Sequence, residues 1–196
     1  MISSNIFQVD PWLWGALMAP MVSAILAVAI HESGHLLAAL LLGARVSAIH
    51  IGTGPKWCSF RLGKLQVNCG VLLFAGYVVA QPVSSAWKRW AYGIFVAAGP
   101  LATFAATWFF YQLWRSQEAD FSLQEIDAKA ICLGAPLLMN AIYAISFFRT
   151  SKAELDGRLF SPDLVLLLSC LFDSREHWEA DIHGHAGIRG ADAERL

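Results

Sequence analysis

A chain of 196 residues in which 57% are apolar and only 15% are charged differs from an ordinary soluble domain, where about a quarter of the residues are charged. This composition predicts a membrane protein. The formal net charge of −1 and the lack of any run rich in lysine and arginine argue against nucleic acid as a partner. The cysteines are scattered without a C-x-x-C pair, so neither a cysteine zinc site nor a disulfide framework is indicated.

The first predicted helix covers about residues 12–42, which exceeds the roughly 20 apolar residues that a bilayer requires. Trp12 and Trp14 are placed like the aromatic belt of a membrane interface. Pro20 is expected to bend the helix or to begin it. Because Asp10 precedes the apolar stretch and no basic region does, we do not expect a secretory signal here.

Residues 46–80 show glycines, a proline and short alternating apolar runs, which predict a small β-element. A turn at Gly63–Lys64 would form a hairpin. It would place two apolar pairs on one face: Leu62 with Leu65, and Phe60 with Val67. Since a sheet edge cannot face lipid, this element is expected at the membrane interface or against the helices.

Two further apolar stretches, about residues 90–114 and 129–148, predict a second and a third spanning helix. The expected fold class is therefore an all-α membrane protein with three core transmembrane helices and a small interfacial β-element between helices 1 and 2. Residues 1–160 would form this core and residues 161–196 a short tail. There, Ser161 as N-cap and Pro162 at the first helical position predict an apolar helix. It is too short to span, so we expect it to be interfacial or packed.

The distribution of charge predicts the orientation of the chain. No acidic residue lies between His35 and Gln117, whereas six basic residues fall between helices 1 and 2. These are Arg45, Lys56, Arg61, Lys64, Lys88 and Arg89. By the positive-inside rule, this loop and the tail are expected on the cytoplasmic side, with the N-terminus outside.

The sequence HESGH at residues 31–35 has the pattern H-E-x-x-H and lies within the first predicted helix. The spacing places His31 and His35 on one face, where both imidazoles can reach a single zinc ion. Glu32 is turned about 100° from His31 and is a candidate general base toward a water molecule activated by the zinc. The alternative is a set of polar core residues hydrogen-bonded between helices. Ionisable groups inside a membrane each cost about 3 kcal/mol, and a metal ion is the partner that best explains three of them.

A catalytic zinc site usually has three protein ligands, so one more must lie elsewhere in the chain. The candidates are His50 in the loop, Asp156 after the third helix, and the tail histidines His177, His183 and His185. The tail histidines are expected to be solvated. Asp156 is favoured because the glycine after it allows a sharp turn of the chain.

Five stretches occur in an order that is similar to one known family. They are HESGH in the first helix, GTGP and FAGYV in the β-element, AAGPLATF in the second helix, and FFRTSKAELDGRLF after the third. Over roughly residues 20–160 the chain resembles the site-2 proteases, a family of intramembrane metalloproteases. The resemblance implies that His31, His35 and Asp156 bind zinc and that Glu32 is the general base.

The same resemblance implies a substrate and a location. The substrate would be a single-span membrane protein, cut within or near its transmembrane segment, with the β-element binding the substrate strand at its edge. The enzyme would be a multi-pass protein of a prokaryotic cell membrane, with its active site open to the cytoplasmic side.

Two positions depart from the pattern of this family. Thr103 stands where the family often has asparagine, and Phe147 stands where it commonly has proline. Asn140, about one turn earlier than expected, is a candidate for holding a substrate carbonyl or polarising the oxyanion, and equally for a hydrogen bond between helices. Gly99 and Pro100 are interpreted as residues that let the second helix pack closely on the metal-binding helix.

Two other functions are also consistent with these residues. A metal transporter or metal-binding membrane protein can also place H-E-x-x-H on a membrane helix, although three helices are few to enclose a path. An inactive pseudoprotease that binds membrane partners is the other alternative, supported by the missing proline at Phe147 and the displaced Asn140. Nothing in the sequence indicates an oligomeric state.

Overall fold

Three long helices and one long β-hairpin make up most of the described structure. The computed structural model describes residues 11–81, 89–116, 128–146, 153–155, 158–160 and 163–172. In chain order the elements are α1 (Pro11–Leu41), β1 (Arg45–Leu62), β2 (Leu65–Gln81), α2 (Arg89–Arg115), α3 (Ala128–Ser146), β3 (Ala153–Leu155), β4 (Arg158–Phe160) and α4 (Asp163–Phe172). Helix α1 contacts both α2 and α3, which also contact each other.

The three long helices have small and polar residues inside and large apolar residues outside. The buried apolar residues on them are mostly alanines, which allow helices to approach closely. The buried polar residues of these helices are Ser23, His31, Glu32, His35, Thr103 and Asn140. Exposed apolar side chains include Leu17, Met21, Leu37, Leu101, Trp108, Phe109, Leu138 and Ile145. An apolar exterior of this extent is unusual for a soluble protein and suits contact with lipid.

Two of the described helices are long and apolar enough to cross a membrane. They cover Trp14–Leu41 in α1 and Trp90–Arg115 in α2, in agreement with the first two predicted spans. Helix α3 forms where a third span was predicted, but its apolar part, Gly134–Ser146, is shorter than the roughly 20 residues of a crossing. The third transmembrane helix therefore remains a prediction. Pro20 lies well inside α1 and does not begin it.

The predicted hairpin is confirmed in its position and its register. Leu62 pairs with Leu65, and Phe60 pairs with Val67. Gly63 adopts a φ of +61° in the turn between them, a backbone conformation that glycine adopts without steric cost. The local turn signal was therefore sufficient to set the pairing of the strand ends.

The hairpin curls back on itself near α1, a feature that the sequence did not predict. Residues 48–51 of β1 have partners on both sides, at 76–79 and at 66–69 of β2. Gly52, with a φ of +82°, follows this doubly paired segment and continues the strand in a new direction. The result is a compact sheet, packed on α1 through both strands.

The chain after α3 contains a second small hairpin and a short helix. Strands β3 and β4 pair with Leu155 opposite Arg158; three-residue strands are too short to show alternation, and they were not predicted. Helix α4 packs against α2, with Cys170 against Tyr92, so the predicted apolar helix is a packed one. The predicted capping residues Ser161 and Pro162 lie outside the described residues. The division into a core of 1–160 and a tail of 161–196 stays a prediction.

Candidate metal centre

Helix α1 brings the two histidines of the HESGH sequence together in the interior. Their rings meet edge to face, with centroids 4.9 Å apart and planes at 76°. The two Nε2 atoms are 3.2 Å apart, and both residues are buried. The convergence of His31 and His35 that the spacing of four residues predicts is present in the fold.

Helix α2 provides the hydrogen-bond partner of Nδ1 in each imidazole. His31 Nδ1 lies 2.9 Å from the hydroxyl oxygen of Thr103, and His35 Nδ1 donates to the carbonyl oxygen of Phe95 at 2.8 Å. Since a carbonyl oxygen only accepts, the proton of a neutral His35 is on Nδ1 and its Nε2 keeps a lone pair. Positions 95, 99 and 103 follow one another at four-residue spacing, so they share one face of α2.

Gly99 provides the space in which the ring of His35 lies. A Cβ atom at position 99 would overlap His35 Nε2 and the two ring carbons beside it. The interpretation of Gly99 as a packing residue is therefore incomplete, because its missing side chain makes room for His35, a candidate metal ligand.

Asp163, the first residue of α4, completes a group of three side chains that could hold a metal ion, called here the metal-binding group. Its Oδ2 atom lies 2.9 Å from Nε2 of His31 and 3.7 Å from Nε2 of His35. Burial opposes ionisation of this carboxyl, but the interactions with His31 and His35 outweigh it and hold the pKa of Asp163 well below its usual range. An anionic oxygen therefore faces the two imidazole nitrogens at neutral pH.

The three donor atoms fit a zinc ion. Two histidine nitrogens and one carboxylate oxygen form a donor set found in catalytic zinc sites, and bonds of 2.0–2.1 Å separate the ligand atoms of a tetrahedral site by about 3.3 Å. The three separations here are 3.2, 2.9 and 3.7 Å, which lie around that value. Three donors leave a fourth position for water or substrate.

Glu32 is buried next to the hairpin rather than in the ligand group. A Cβ atom at Gly76 of β2 would come within 2.8 Å of Glu32 Oε1, so the glutamate lies directly against the backbone of β2. Glu32 is not in the described group that could hold a metal ion, and its role as general base stays a prediction.

The other predicted ligands are either outside the described residues or engaged elsewhere. Asp156 lies outside the described residues, as do His177, His183 and His185, so the assignment of Asp156 stays a prediction. His50 is on β1, where its ring stacks on Tyr77 with centroids 4.1 Å apart and its Nε2 accepts a hydrogen bond from Asn68. It is not in the described metal-binding group.

Asn140 is fully buried in α3 and makes one hydrogen bond along its own helix. Its Nδ2 donates to the carbonyl oxygen of Pro136 at 2.8 Å, and its Oδ1 has no hydrogen-bond partner among the described residues. No hydrogen bond among the described residues joins Asn140 to the metal-binding group, so its role toward substrate stays a prediction. Helix α3 does reach the site one turn later, where the Tyr143 ring lies edge-on to His31 with centroids 5.0 Å apart.

Sequence reasoning missed the role of Asp163 and treated Thr103 only as a departure. Asp163 follows Ser161 and Pro162, and an acidic residue in a first helical turn is usually explained by the helix dipole. The only available signal was a carboxylate at the edge of an apolar helix. Phe147, the other departure, lies outside the described residues.

Comparison with known proteins places this centre in a family. The sequence pattern described as Peptidase family M50 matches residues 20–156. A protein of Chlamydia trachomatis serovar D named "Putative zinc metalloprotease" is 34% identical over 100 residues, which cover 38% of this chain and 16% of that protein. A protein of Chlamydia pneumoniae with the same name is 41% identical over 51 residues, covering 26% of this chain and 8% of that protein.

The matched stretches are thus small parts of these two relatives, whereas the family pattern covers most of this chain and includes the whole HESGH sequence. The match covers α1 from residue 20, the hairpin, α2 and α3; it contains His31 and His35 and ends before Asp163. The chain therefore belongs to peptidase family M50, the membrane-embedded metalloproteases that include the site-2 proteases.

Proposed function

We propose that this protein is an intramembrane zinc endopeptidase that cleaves a peptide bond in or near a transmembrane segment of another membrane protein. The observation that supports this most directly is the group of His31, His35 and Asp163, with its donor atoms converging among helices that have an apolar exterior. Hydrolysis needs water and polar groups at the place where a membrane substrate lies. A buried polar site inside an apolar shell meets that need.

The residues of this chain divide the chemistry between them. His31 and His35 would bind zinc through Nε2, together with a carboxylate. A zinc ion held there would polarise the substrate carbonyl and lower the pKa of water to near 7. Glu32 would accept a proton from the attacking water on its carboxylate and pass it to the nitrogen of the departing amine.

The hairpin is proposed as the place where the substrate strand binds. Gly76 of β2 lies against Glu32, so an extended peptide added to this sheet would run close to the general base. Addition of a strand to a sheet edge uses main-chain hydrogen bonds and is a general mode of peptide recognition. A single-span protein that unwinds locally at the site would satisfy this geometry.

The proposed location is a prokaryotic cell membrane, with several crossings and the site open to the cytoplasmic side. The orientation rests on the basic residues between α1 and α2 and on the positive-inside rule. The relatives from two Chlamydia species agree with a bacterial origin.

The third ligand can be identified by comparing Asp163→Asn with Asp156→Asn. Both changes remove one negative charge with little change in size, so each is the control for the other. We expect Asp163→Asn to lose most of its zinc, because Asp163 is the carboxylate in contact with both histidines. The measurement is zinc per chain, by elemental analysis of the full chain purified in mild detergent.

The wild type is expected to hold about one zinc ion per chain, as for a site with three protein ligands. Loss of zinc in Asp156→Asn alone would assign the third ligand to Asp156 and leave Asp163 as a hydrogen-bond partner of the histidines. Absence of zinc from the wild type would contradict the proposed function.

A further inference from the structure

We propose that Thr103 is a positioning residue that fixes the proton of His31 on Nδ1 and so keeps His31 Nε2 available to a metal ion. The inference rests on the proposed function, because whether Nε2 carries a proton matters chiefly for metal binding. It also gives a role to Thr103, which stands where the site-2 protease family often has asparagine.

The hydrogen bonds of Thr103 define which atom donates. Its side chain is fully buried. The hydroxyl oxygen lies 3.1 Å from the carbonyl oxygen of Gly99 and 2.9 Å from Nδ1 of His31. A hydroxyl has one proton, and a carbonyl oxygen cannot donate, so Thr103 donates to Gly99. Toward His31 its oxygen can only accept, and His31 must donate from Nδ1.

This assignment determines the chemistry of the opposite side of the ring. A neutral imidazole has one N–H, so a proton on Nδ1 leaves a lone pair on Nε2. The Phe95 carbonyl has the same effect on His35. Two lone pairs 3.2 Å apart, with the Asp163 carboxylate 2.9 Å from Nε2 of His31, repel one another unless a metal ion or a proton lies between them. Hydrogen bonds to α2 thus keep the Nδ1 proton in place on both histidines, so that Nε2 can bind a metal ion. Thr103 accepts this hydrogen bond from His31.

Thr107 offers a matched control on the same helix. Its hydroxyl donates to the carbonyl of Thr103 at 2.8 Å, which is the same type of bond that Thr103 makes to Gly99. No hydrogen bond among the described residues links Thr107 to a histidine. Thr107→Val therefore removes a threonine hydroxyl from α2 without changing the surroundings of His31.

The experiment compares wild type, Thr103→Val, Thr103→Ser and Thr107→Val as full chains in mild detergent. Zinc affinity is measured by competition with a chelator, and the ligand field by the absorption spectrum of bound cobalt(II). We expect Thr103→Val to bind zinc about 10- to 100-fold more weakly, the effect typical of losing a hydrogen bond to a metal-binding histidine. Thr103→Ser, which keeps the hydroxyl, and Thr107→Val should bind zinc as the wild type does.

A second measurement reads the proton directly in metal-free protein. Nitrogen-15 NMR of the imidazoles, at a pH where they are neutral, should show the His31 proton on Nδ1 in the wild type and in Thr103→Ser. In Thr103→Val the proton should move to Nε2, which lies 2.9 Å from the Asp163 carboxylate. This readout tests the hydrogen bond itself, which a purely structural effect on the helix would not alter.

The outcomes separate this inference from the function on which it rests. Equal zinc affinity in Thr103→Val and wild type, or an equal loss in Thr107→Val or Thr103→Ser, would overturn the role of Thr103. A wild type that binds no zinc, or binds it equally well after His31→Ala, would overturn the proposed metal site. In that case the imidazole spectra would still decide whether Thr103 determines which nitrogen of His31 carries the proton.

Discussion

Glu32→Gln is expected to abolish peptide hydrolysis while leaving the zinc content of the protein unchanged. Glutamine has nearly the same size as glutamate, so it can keep the position beside Gly76 of β2. Its amide cannot accept the proton of the attacking water, and loss of a general base reduces rates by about 100- to 10,000-fold. The measurements are cleavage of a single-span membrane protein in liposomes and zinc per chain.

Ser33→Ala is the matched control in the same turn of α1. Ser33 is exposed and its hydroxyl bonds to the carbonyl oxygen of Ala29, away from the buried site. This variant should keep both zinc and activity. Undiminished cleavage by Glu32→Gln would contradict the assigned role of Glu32.

The Glu32→Gln variant also distinguishes the protease from the transporter and from the pseudoprotease. Zinc uptake into vesicles that is lost in Glu32→Gln, without any proteolysis, would favour a transporter in which Glu32 is a ligand. If Glu32→Gln restored the biological activity of a strain that lacks the protein, the pseudoprotease would be favoured.

Gly99→Ala is expected to displace His35 and to remove most of the bound zinc. The added methyl group would overlap the His35 ring at Nε2, the atom that faces the other two ligands. Forcing extra volume into a packed interior typically costs about 1–3 kcal/mol, and here the strain falls on a metal-binding residue. Zinc content and thermal unfolding in detergent measure the two consequences.

Gly93→Ala is the control, since Gly93 is also on α2 and a Cβ atom there meets no atom of the described part of the chain within 4 Å. This change should preserve zinc, and it should stabilise α2 by up to about 1 kcal/mol because alanine favours a helix more than glycine does. Normal zinc content in Gly99→Ala would show that His35 can move without loss of the site, against the tight fit described above.

The features of this protein that follow short-range rules could be predicted from its sequence. The spacing of His31 and His35 places them on one helical face wherever that helix lies. The turn at Gly63 set the pairing of Phe60 with Val67, because a two-residue loop leaves the strands one register. The length and apolar content of α1 and α2 likewise agreed with their predicted spans. Each of these depends on residues close together in the chain.

The partners of the histidines depend on contacts that local patterns cannot reveal. Thr103 is 72 positions from His31 and Asp163 is 132 positions from it, and no periodicity relates such distant residues. Whether Asp163 caps a helix or faces the metal site depends on how α4 packs on α2. The role of Gly99 likewise depends on how close α2 comes to α1. The sequence by itself determined that two histidines and a glutamate share one membrane helix. Only the tertiary structure decided which carboxylate and which hydroxyl meet them, because packing of distant helices brings those groups into hydrogen-bonding range.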